Sequence, residues 1–231
     1  MKFLIISVFD DSIHEGASFR EVSNLTSKSL INYCERHNYD FLIESKDIDE
    51  NRHISWSKLF LAKKYLKNYD WIWCIDSDVM IMNHTIRLEE IIDANYDILV
   101  AQKENLPDSL NTGSIMYRNT NWNKEFMEFW YANGTEFFYK DQLEQSSLIK
   151  IIKNSPDILK RNIKLVNNRL FNSYYHVWHE KENFQFGDFC LHDAGTSNAH
   201  RIQLFSELQD KVIMNKTIDY SNWSIKTPKF L

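Results

Sequence analysis

Short apolar runs alternate with amphipathic stretches along most of this chain, a pattern typical of parallel strands covered by helices. The apolar runs predict strands at residues 3–9, 39–43, 71–76, 96–101, 110–119, 163–166 and 189–191. The amphipathic stretches predict helices at residues 20–37, 55–68, 87–95, 122–133 and 141–154. Together they predict an α/β fold in a single domain, with a mostly parallel central sheet flanked by helices.

The composition supports one packed domain. The chain has 231 residues, 43% of them hydrophobic, with only 5 Gly and 3 Pro, so it can bury a sizeable core. Its net charge of -5 lacks the basic surface that binding to a phosphate backbone demands, which argues against a nucleic-acid partner. The residues from 206 to 231 show little periodicity and predict a C-terminal tail that packs on the domain.

The three cysteines, Cys34, Cys74 and Cys190, have the spacing of neither a disulfide framework nor a zinc site. The first apolar run is followed at once by two carboxylates and has no cleavage site, so it predicts a buried strand instead of a signal peptide. No stretch approaches the roughly 18 apolar residues of a membrane span. These features predict reduced thiols and a cytoplasmic protein without a transmembrane segment.

Two carboxylates lie one residue apart within the segment WIWCIDSDVMIMN. Asp76 and Asp78 follow a predicted buried strand, and ligands of open α/β sheets gather outside the carboxyl ends of the strands. Charge at such a place is costly unless something positive lies opposite, and a divalent cation that also binds a diphosphate meets that need. The pair predicts a metal site, with a solvated Asp-rich turn as the alternative.

Other candidate residues lie at the ends of predicted elements. His192 ends an apolar run, and an imidazole together with two carboxylates suits Mn²⁺ better than Mg²⁺. A second group stands at the entrances of a strand and two helices: Lys58, Asn111, Thr112, Gly113, Glu144 and Gln145. Taken alone, each residue also has an ordinary structural explanation. His192 fits a structural histidine, residues 111–113 fit an ordinary turn, and Lys58, Glu144 and Gln145 fit solvated helix faces.

In chain order, the segments SWSKL, WIWCIDSDVMIMN, LNTGSIMYRNTNW, EQSSL and GDFCLHDAG resemble the motifs of a known family. It is the retaining glycosyltransferase family that contains plant xyloglucan xylosyltransferases and fungal α-galactosyl- and α-mannosyltransferases. The resemblance covers residues 54–200, and the first fifty residues match only as a generic nucleotide-binding start. The segment through the acidic pair, and LNTGS followed by RN and Trp122, are its specific parts.

The resemblance implies a GT-A fold, a nucleotide-sugar donor (UDP favoured) and a saccharide or glycan acceptor. It implies Mn²⁺ or Mg²⁺ as cofactor, bound by Asp76, Asp78 and His192. It divides the domain into a nucleotide-binding half (1–100), an acceptor and catalytic half (101–205) and the tail (206–231). The implied donor-binding residues are Ser7, Phe9, Lys58, Asp76, Ser77, Asp78, Asn111, Thr112, Gly113, Gly195 and Arg201. The implied catalytic residues are Glu144 and Gln145, with Asp141 one helical turn earlier as the fallback.

The chain departs from the family pattern in two ways. The family continues its His motif to a Lys five residues on, which meets the diphosphate, whereas this chain has Ser197 there. Arg201 is the candidate substitute. The membrane anchor of the eukaryotic members is also absent, which predicts a bacterial or viral-type soluble enzyme.

The resemblance implies sugar transfer with retention, and the candidate residues supply a chemical account of it. The metal, with Lys58 or Arg201, would offset charge on the departing diphosphate, and Glu144 or Gln145 would stabilise the oxocarbenium-like carbon. Two alternatives stay open. An aspartyl-nucleophile phosphatase expects Thr or Val where Met80 stands. A non-catalytic carbohydrate-binding module would keep the fold without the chemistry, but both metal carboxylates are present, which favours the enzyme.

Overall fold

A computed structural model gives the fold and describes residues 1–102, 109–137, 143–175 and 183–214. The strands are β1 (Phe3–Val8), β2 (Ile13–His14), β3 (Ala17–Ser18), β4 (Asp40–Glu44), β5 (Trp71–Asp76), β6 (Val79–Ile81), β7 (Ile98–Gln102), β8 (Leu110–Arg118), β9 (Ile163–Asn167), β10 (Ser173–Tyr174) and β11 (Cys190–His192). The helices are α1 (Phe19–His37), α2 (Trp56–Tyr65), α3 (Leu88–Ile91), α4 (Asn121–Asn133), α5 (Leu143–Asn154), α6 (Ile158–Arg161) and α7 (Asn198–Leu208).

The central sheet has six strands in the order β4-β1-β5-β8-β7-β9. The pairs β1 with β4, β1 with β5 and β7 with β9 are parallel, whereas β8 runs antiparallel to both neighbours. The prediction of a mostly parallel sheet is confirmed. Because β8 runs the other way, its first residues lie where β5 and β7 end: Ser114 pairs with Ile75, and Asn111 pairs with Ala101.

Helices cover both faces of this sheet, which explains why strands such as β5 are apolar at nearly every position. On one face α2, α4 and α5 bury Trp56, Trp130 and Leu148 against the strands. On the other face α1 buries Leu30 and Tyr33. Gly134 follows α4, as predicted for a helix end, but its φ is -85°. A Cβ there would lie 2.0 Å from the Trp56 ring, so packing requires this glycine.

A second, three-stranded sheet has the order β10-β11-β6. The apolar run after Asp78 forms β6 and therefore leaves the central sheet. In this small sheet β11 runs antiparallel to β6, and His192 pairs with Val79. This pairing carries a residue from late in the chain to the turn that contains Asp78.

Helix α7 was not predicted. It continues to Leu208, past the predicted start of the tail at residue 206, because its inner face buries Leu204, Phe205 and Leu208. Residues 215–231 lie outside the described residues. Cys34, Cys74 and Cys190 are buried free thiols. Among the described helices, none has the length and apolar character needed to cross a membrane.

Candidate functional site

Asp76, Asp78 and His192 meet at the carboxyl edge of the central sheet. Asp76 is the last residue of β5, Asp78 lies in the turn to β6, and His192 ends β11. Nε2 of His192 is 3.3 Å from Oδ1 of Asp78 and 4.0 Å from Oδ2 of Asp76. One ligand atom from each of the three residues lies within 4.8 Å of the others. The structure thus brings together the three predicted metal ligands.

The surroundings of this triad fit a divalent cation. Two carboxylate oxygens and one imidazole nitrogen form a donor set that such ions accept in proteins. Gly113 of β8 lies beside it, and a Cβ at that position would be 2.3 Å from Cε1 of His192 and 2.9 Å from Oδ2 of Asp76. Glycine is therefore the residue that leaves these ligands their space.

Lys58 is the cation that faces Asp76. Its Nζ hydrogen-bonds to Asp76, donates to the Thr112 carbonyl oxygen at 3.0 Å, and lies 3.5 Å from Oε1 of Glu144. Its side chain is buried, whereas a lysine in a first helical turn usually faces water. Burial alone would lower the pKa of Lys58, but the carboxylates of Asp76 and Glu144 outweigh it and raise that pKa, so the ammonium stays charged.

Arg201 of α7 occupies the corresponding place beside Asp78. One guanidinium nitrogen is 2.9 Å from Oδ2 of Asp78. Nε donates to the Asp193 carbonyl oxygen at 3.0 Å, and the other nitrogen donates to Oδ1 of Asn198 at 2.7 Å. Burial opposes ionisation of Asp78, but His192 and Arg201 outweigh it and lower the pKa of Asp78 to about 2. Each acidic ligand thus has its own cation.

A cleft of about 360 Å³ opens beside these charges. Its lining comes from the end of β1, the β2 hairpin, the segment before α2, the end of β5 and α7. The lining residues are Val8, Phe9, Asp10, Ser12, His14, Phe19, His53, Ile54, Ser55, Lys58, Asp76, Ser77, Asp78 and Arg201. Six of the predicted donor-binding residues therefore share one cleft: Phe9, Lys58, Asp76, Ser77, Asp78 and Arg201.

The start of α5 is tied to the start of β8. Oγ1 of Thr112 donates to Oε1 of Glu144 at 2.9 Å, and the Thr112 N–H donates to Oε1 of Gln145 at 3.1 Å. Glu144 is only 5% exposed, so it does not belong to a solvated helix face. Because Glu144 also faces Lys58, the segment at residues 111–113, α5 and the metal triad form one connected cluster.

Two predicted site residues, Ser7 and Gly195, lie elsewhere. Ser7 is buried within β1, and Gly195, with a φ of 76°, lies in the turn before α7. Neither is among the residues that line the cleft in the part of the chain that the structure describes. Asp141 lies outside the described residues.

The sequence-based reasoning missed Asn172. Its Oδ1 is 3.0 Å from Nδ1 of His192, and its Nδ2 is 3.0 Å from Oδ1 of Asn111. The available signal was a single amide between Phe171 and Tyr174, in a segment that is otherwise apolar enough to be buried.

The sequence matches a protein family over most of its length. The model of the galactosyl transferase GMA12/MNN10 family matches residues 1–100 and 91–203. The chain belongs to this family. The resemblance found in the motifs is thus confirmed over nearly all of the described residues.

Curated relatives within the GMA12/MNN10 family are distant. An uncharacterized alpha-1,2-galactosyltransferase of Schizosaccharomyces pombe is 27% identical over 218 residues, which cover 73% of this chain and 54% of the relative. Galactomannan galactosyltransferase 1 of Cyamopsis tetragonoloba is 25% identical over 143 residues, which cover 56% of this chain and 33% of that protein. The chain spans about half or less of the length of these relatives.

Solved structures confirm the GT-A fold. A glycosyltransferase involved in the glycosylation of the major capsid of PBCV-1 superposes with a TM-score of 0.69 at 19% identity, over 90% of this chain and 100% of that one. The galactosyltransferase LgtC superposes with a TM-score of 0.56 at 12% identity, over 94% of this chain and 97% of that one.

Proposed function

We propose that this chain is a metal-assisted, retaining glycosyltransferase that moves a hexose or pentose from a nucleotide sugar, with UDP favoured, to a hydroxyl of a saccharide or glycan. The observation that carries the proposal is the convergence of Asp76, Asp78 and His192 beside a cleft that Lys58 and Arg201 also line. Membership of the GMA12/MNN10 family supports it, since relatives in that family are named as galactosyltransferases.

A nucleoside diphosphate matches the charges of this cleft. Lys58 and Arg201 present nitrogen donors from two sides, and each is already held in place by a carboxylate. Such preorganised donors stabilise charge that develops on a leaving group, because they need not reorganise during the reaction. Asp76, Asp78 and His192 would hold Mn²⁺ or Mg²⁺, which would supply Lewis-acid stabilisation of the diphosphate.

Glu144 and Gln145 are the candidates for stabilising the sugar carbon. Their contacts to Thr112 hold the first turn of α5 against β8, close to Lys58 and Asp76. Oε1 of Gln145 accepts one hydrogen bond there and keeps a second lone pair. An oxygen near the anomeric carbon would stabilise its oxocarbenium character, and the departing phosphate would accept the proton of the acceptor hydroxyl.

The test is a panel of UDP- and GDP-sugars offered to the purified protein with Mn²⁺ or Mg²⁺, followed by assays of donor hydrolysis and of transfer to saccharide acceptors. NMR of the product then identifies the anomer. We expect one donor class to be turned over, loss of turnover in EDTA, and an axial or equatorial linkage that matches the donor. Full activity in EDTA would show that transfer does not need a metal. A product with the opposite anomeric configuration to the donor would show that the enzyme is not retaining.

The same panel separates the alternatives. Hydrolysis of a simple phosphate ester through a phosphorylated aspartate would favour the phosphatase. Binding of saccharides with no turnover of any donor would favour the carbohydrate-binding module.

A further inference from the structure

The orientation of several side-chain amides at this site follows from one backbone group. The Gly113 N–H can only donate, and it lies 2.8 Å from Oδ1 of Asn111. The oxygen of the Asn111 amide is therefore the atom that faces Gly113. The same oxygen is 3.0 Å from Nδ2 of Asn172, so the Asn172 amide must present its NH₂ group to Asn111.

A second contact of Asn172 agrees with this orientation. Its Nδ2 is also 3.3 Å from Oδ1 of Asn168. With its NH₂ group committed to these oxygens, Asn172 turns its carbonyl oxygen to Nδ1 of His192, at 3.0 Å. An oxygen can only accept, so the proton of His192 is on Nδ1. In the neutral imidazole that binds a metal, Nε2, which faces the two aspartates, then carries the lone pair that a metal ligand needs.

We propose that Asn172 is a positioning residue that holds His192 in its metal-binding tautomer and, through the same amide, orients Asn111. The inference rests on the proposed function, since it concerns how this chain prepares its own metal ligand. Asn172 is fully buried, and its side-chain hydrogen-bond partners among the described residues, Asn111, Asn168 and His192, do not line the cleft. Its action therefore passes through His192 and Asn111.

The consequence of losing Asn172 follows from the distances. Nδ1 of His192 would then have no acceptor in its place, whereas Nε2 lies 3.3 Å from Oδ1 of Asp78. The tautomer with the proton on Nε2 would donate to Asp78 and become the favoured one. That proton would occupy the space between the ligands, so metal binding would first have to reverse the tautomer.

The orientation of Asn111 has its own consequence for the sugar. Oδ1 of Asn111 accepts from both Gly113 and Asn172. Within the described residues its Nδ2 has no hydrogen-bond partner. Asn172 thus keeps an amide donor available next to the triad, where a hydroxyl of the donor sugar can accept from it.

The experiment compares Asn172→Leu, Asn172→Asp and the neighbouring Ser173→Ala. Two quantities are measured: the tautomer of His192 by ¹⁵N NMR of the imidazole in the metal-free protein, and the affinity for Mn²⁺ with UDP present by calorimetry. The control Ser173 contacts Asp188 at 3.0 Å in the same segment but contacts neither His192 nor Asn111. Thermal unfolding verifies that each variant is folded, and Asn172→Ala replaces Asn172→Leu if the larger side chain prevents folding.

We expect Asn172→Leu to move the proton to Nε2 and to weaken Mn²⁺ binding by about 10- to 100-fold, the range for residues that orient metal ligands. Asn172→Asp still accepts from Nδ1, so tautomer and metal affinity stay near wild type, but it cannot donate to Asn111, so kcat falls. Ser173→Ala changes neither quantity.

Two results would overturn the proposal: a His192 of Asn172→Leu or Asn172→Ala that keeps its proton on Nδ1 with wild-type metal affinity, or an equal loss of affinity in Ser173→Ala. If the wild-type protein binds no metal in the presence of UDP, the metal dependence in the proposed function is wrong. The tautomer measurement still decides whether Asn172 orients His192.

Discussion

Two clusters of buried polar side chains lie at opposite ends of β6, and they differ in how their buried groups are charged. The edge cluster consists of Asp76, Asp78, His192, Lys58 and Arg201. It holds charged groups together, and the side chain of Asp76 keeps 35% of its exposure at the cleft.

The interior cluster consists of Ser29, His37 and His84, and its fully buried histidine is His84. Oγ of Ser29 is 2.8 Å from Nε2 of His84, and Nε2 of His37 is 2.8 Å from the His84 carbonyl oxygen. His84 is 0% exposed, and burial lowers its pKa to about 4. A serine beside a histidine resembles a nucleophile with its base, but this pair has no access to solvent and so serves structure.

The difference between the clusters shows which feature marks a site. Polar side chains are buried in both, so burial alone does not identify function. The edge cluster gathers two carboxylates, an imidazole and two cations around a shared space that opens to a cleft, and a bound cation and a diphosphate would complete this arrangement.

The largest expected effect concerns Asp76. Asp76→Asn keeps the shape of the side chain but removes one metal-binding charge, and we expect transfer to fall at least about 100-fold. Unfolding free energy should change by no more than about 2 kcal/mol, because Lys58 keeps Glu144 as a partner. Steady-state transfer and urea unfolding measure the two quantities. The control is Asp70→Asn, next to the opposite end of β5, where it accepts from the Lys2 N–H. Equal activity in both variants would contradict the edge cluster as the metal site.

A smaller loss is expected at the start of α5. Glu144→Gln and Gln145→Ala should lower turnover by about 50-fold while UDP affinity stays nearly unchanged, because their stabilisation grows only as positive charge develops on the sugar. Calorimetric titration of UDP with Mn²⁺ and steady-state transfer give the two numbers. Wild-type turnover in both variants, with a loss in Asp141→Asn, would assign the catalytic role to Asp141 instead.

Through His84, the interior cluster should make the free energy of unfolding depend on pH. The unfolded chain protonates His84 with a pKa near 6.5, whereas in the folded protein it is about 4. The unfolded state therefore binds more protons between these values, and stability falls as pH falls. We expect a loss of about 2 kcal/mol at pH 5 relative to neutral pH. His84→Gln cannot titrate, so urea unfolding should show a smaller pH dependence while transfer activity at neutral pH persists. An unchanged pH dependence would show that His84 is not the group responsible.

The smallest expected effect concerns Arg201, and it tests whether Arg201 offsets the charge of Asp78. Arg201→Met should weaken binding of UDP with Mn²⁺ by about tenfold, because a charge-assisted contact to the diphosphate is lost. Binding of Mn²⁺ alone should become tighter, since Asp78 loses a competing cation. Calorimetry in the presence and absence of UDP measures both, with Arg118→Met, near the far end of β8, as the control. Parallel changes in the two affinities would contradict the idea that Arg201 balances Asp78.

Much of the fold was predictable, because periodicity is a local property. The strands of the central sheet and helices α1, α2, α4 and α5 lie close to their predicted positions, whereas the short elements β2, β3, β6, β10 and α6 were not predicted. The acidic pair stands at the end of β5 as expected. The start of α7 was less visible, since its buried residues face the small sheet and its helical pattern is weak in the sequence. The motif residues of the site were also recognisable, because residue types and their order can be read directly from the sequence.

By itself, therefore, the sequence determined the α/β pattern, the identity of the candidate metal ligands and membership of a family. The tertiary structure alone decided how these residues are used. The antiparallel direction of β8 brings Gly113 to Asp76, the pairing of β11 with β6 brings His192 to Asp78, and α7 brings Arg201. Along the chain, 18 residues separate Lys58 from Asp76, 32 separate Thr112 from Glu144, and 61 separate Asn111 from Asn172. Such contacts leave no local periodicity, because the free energy that selects them arises only when distant segments pack together.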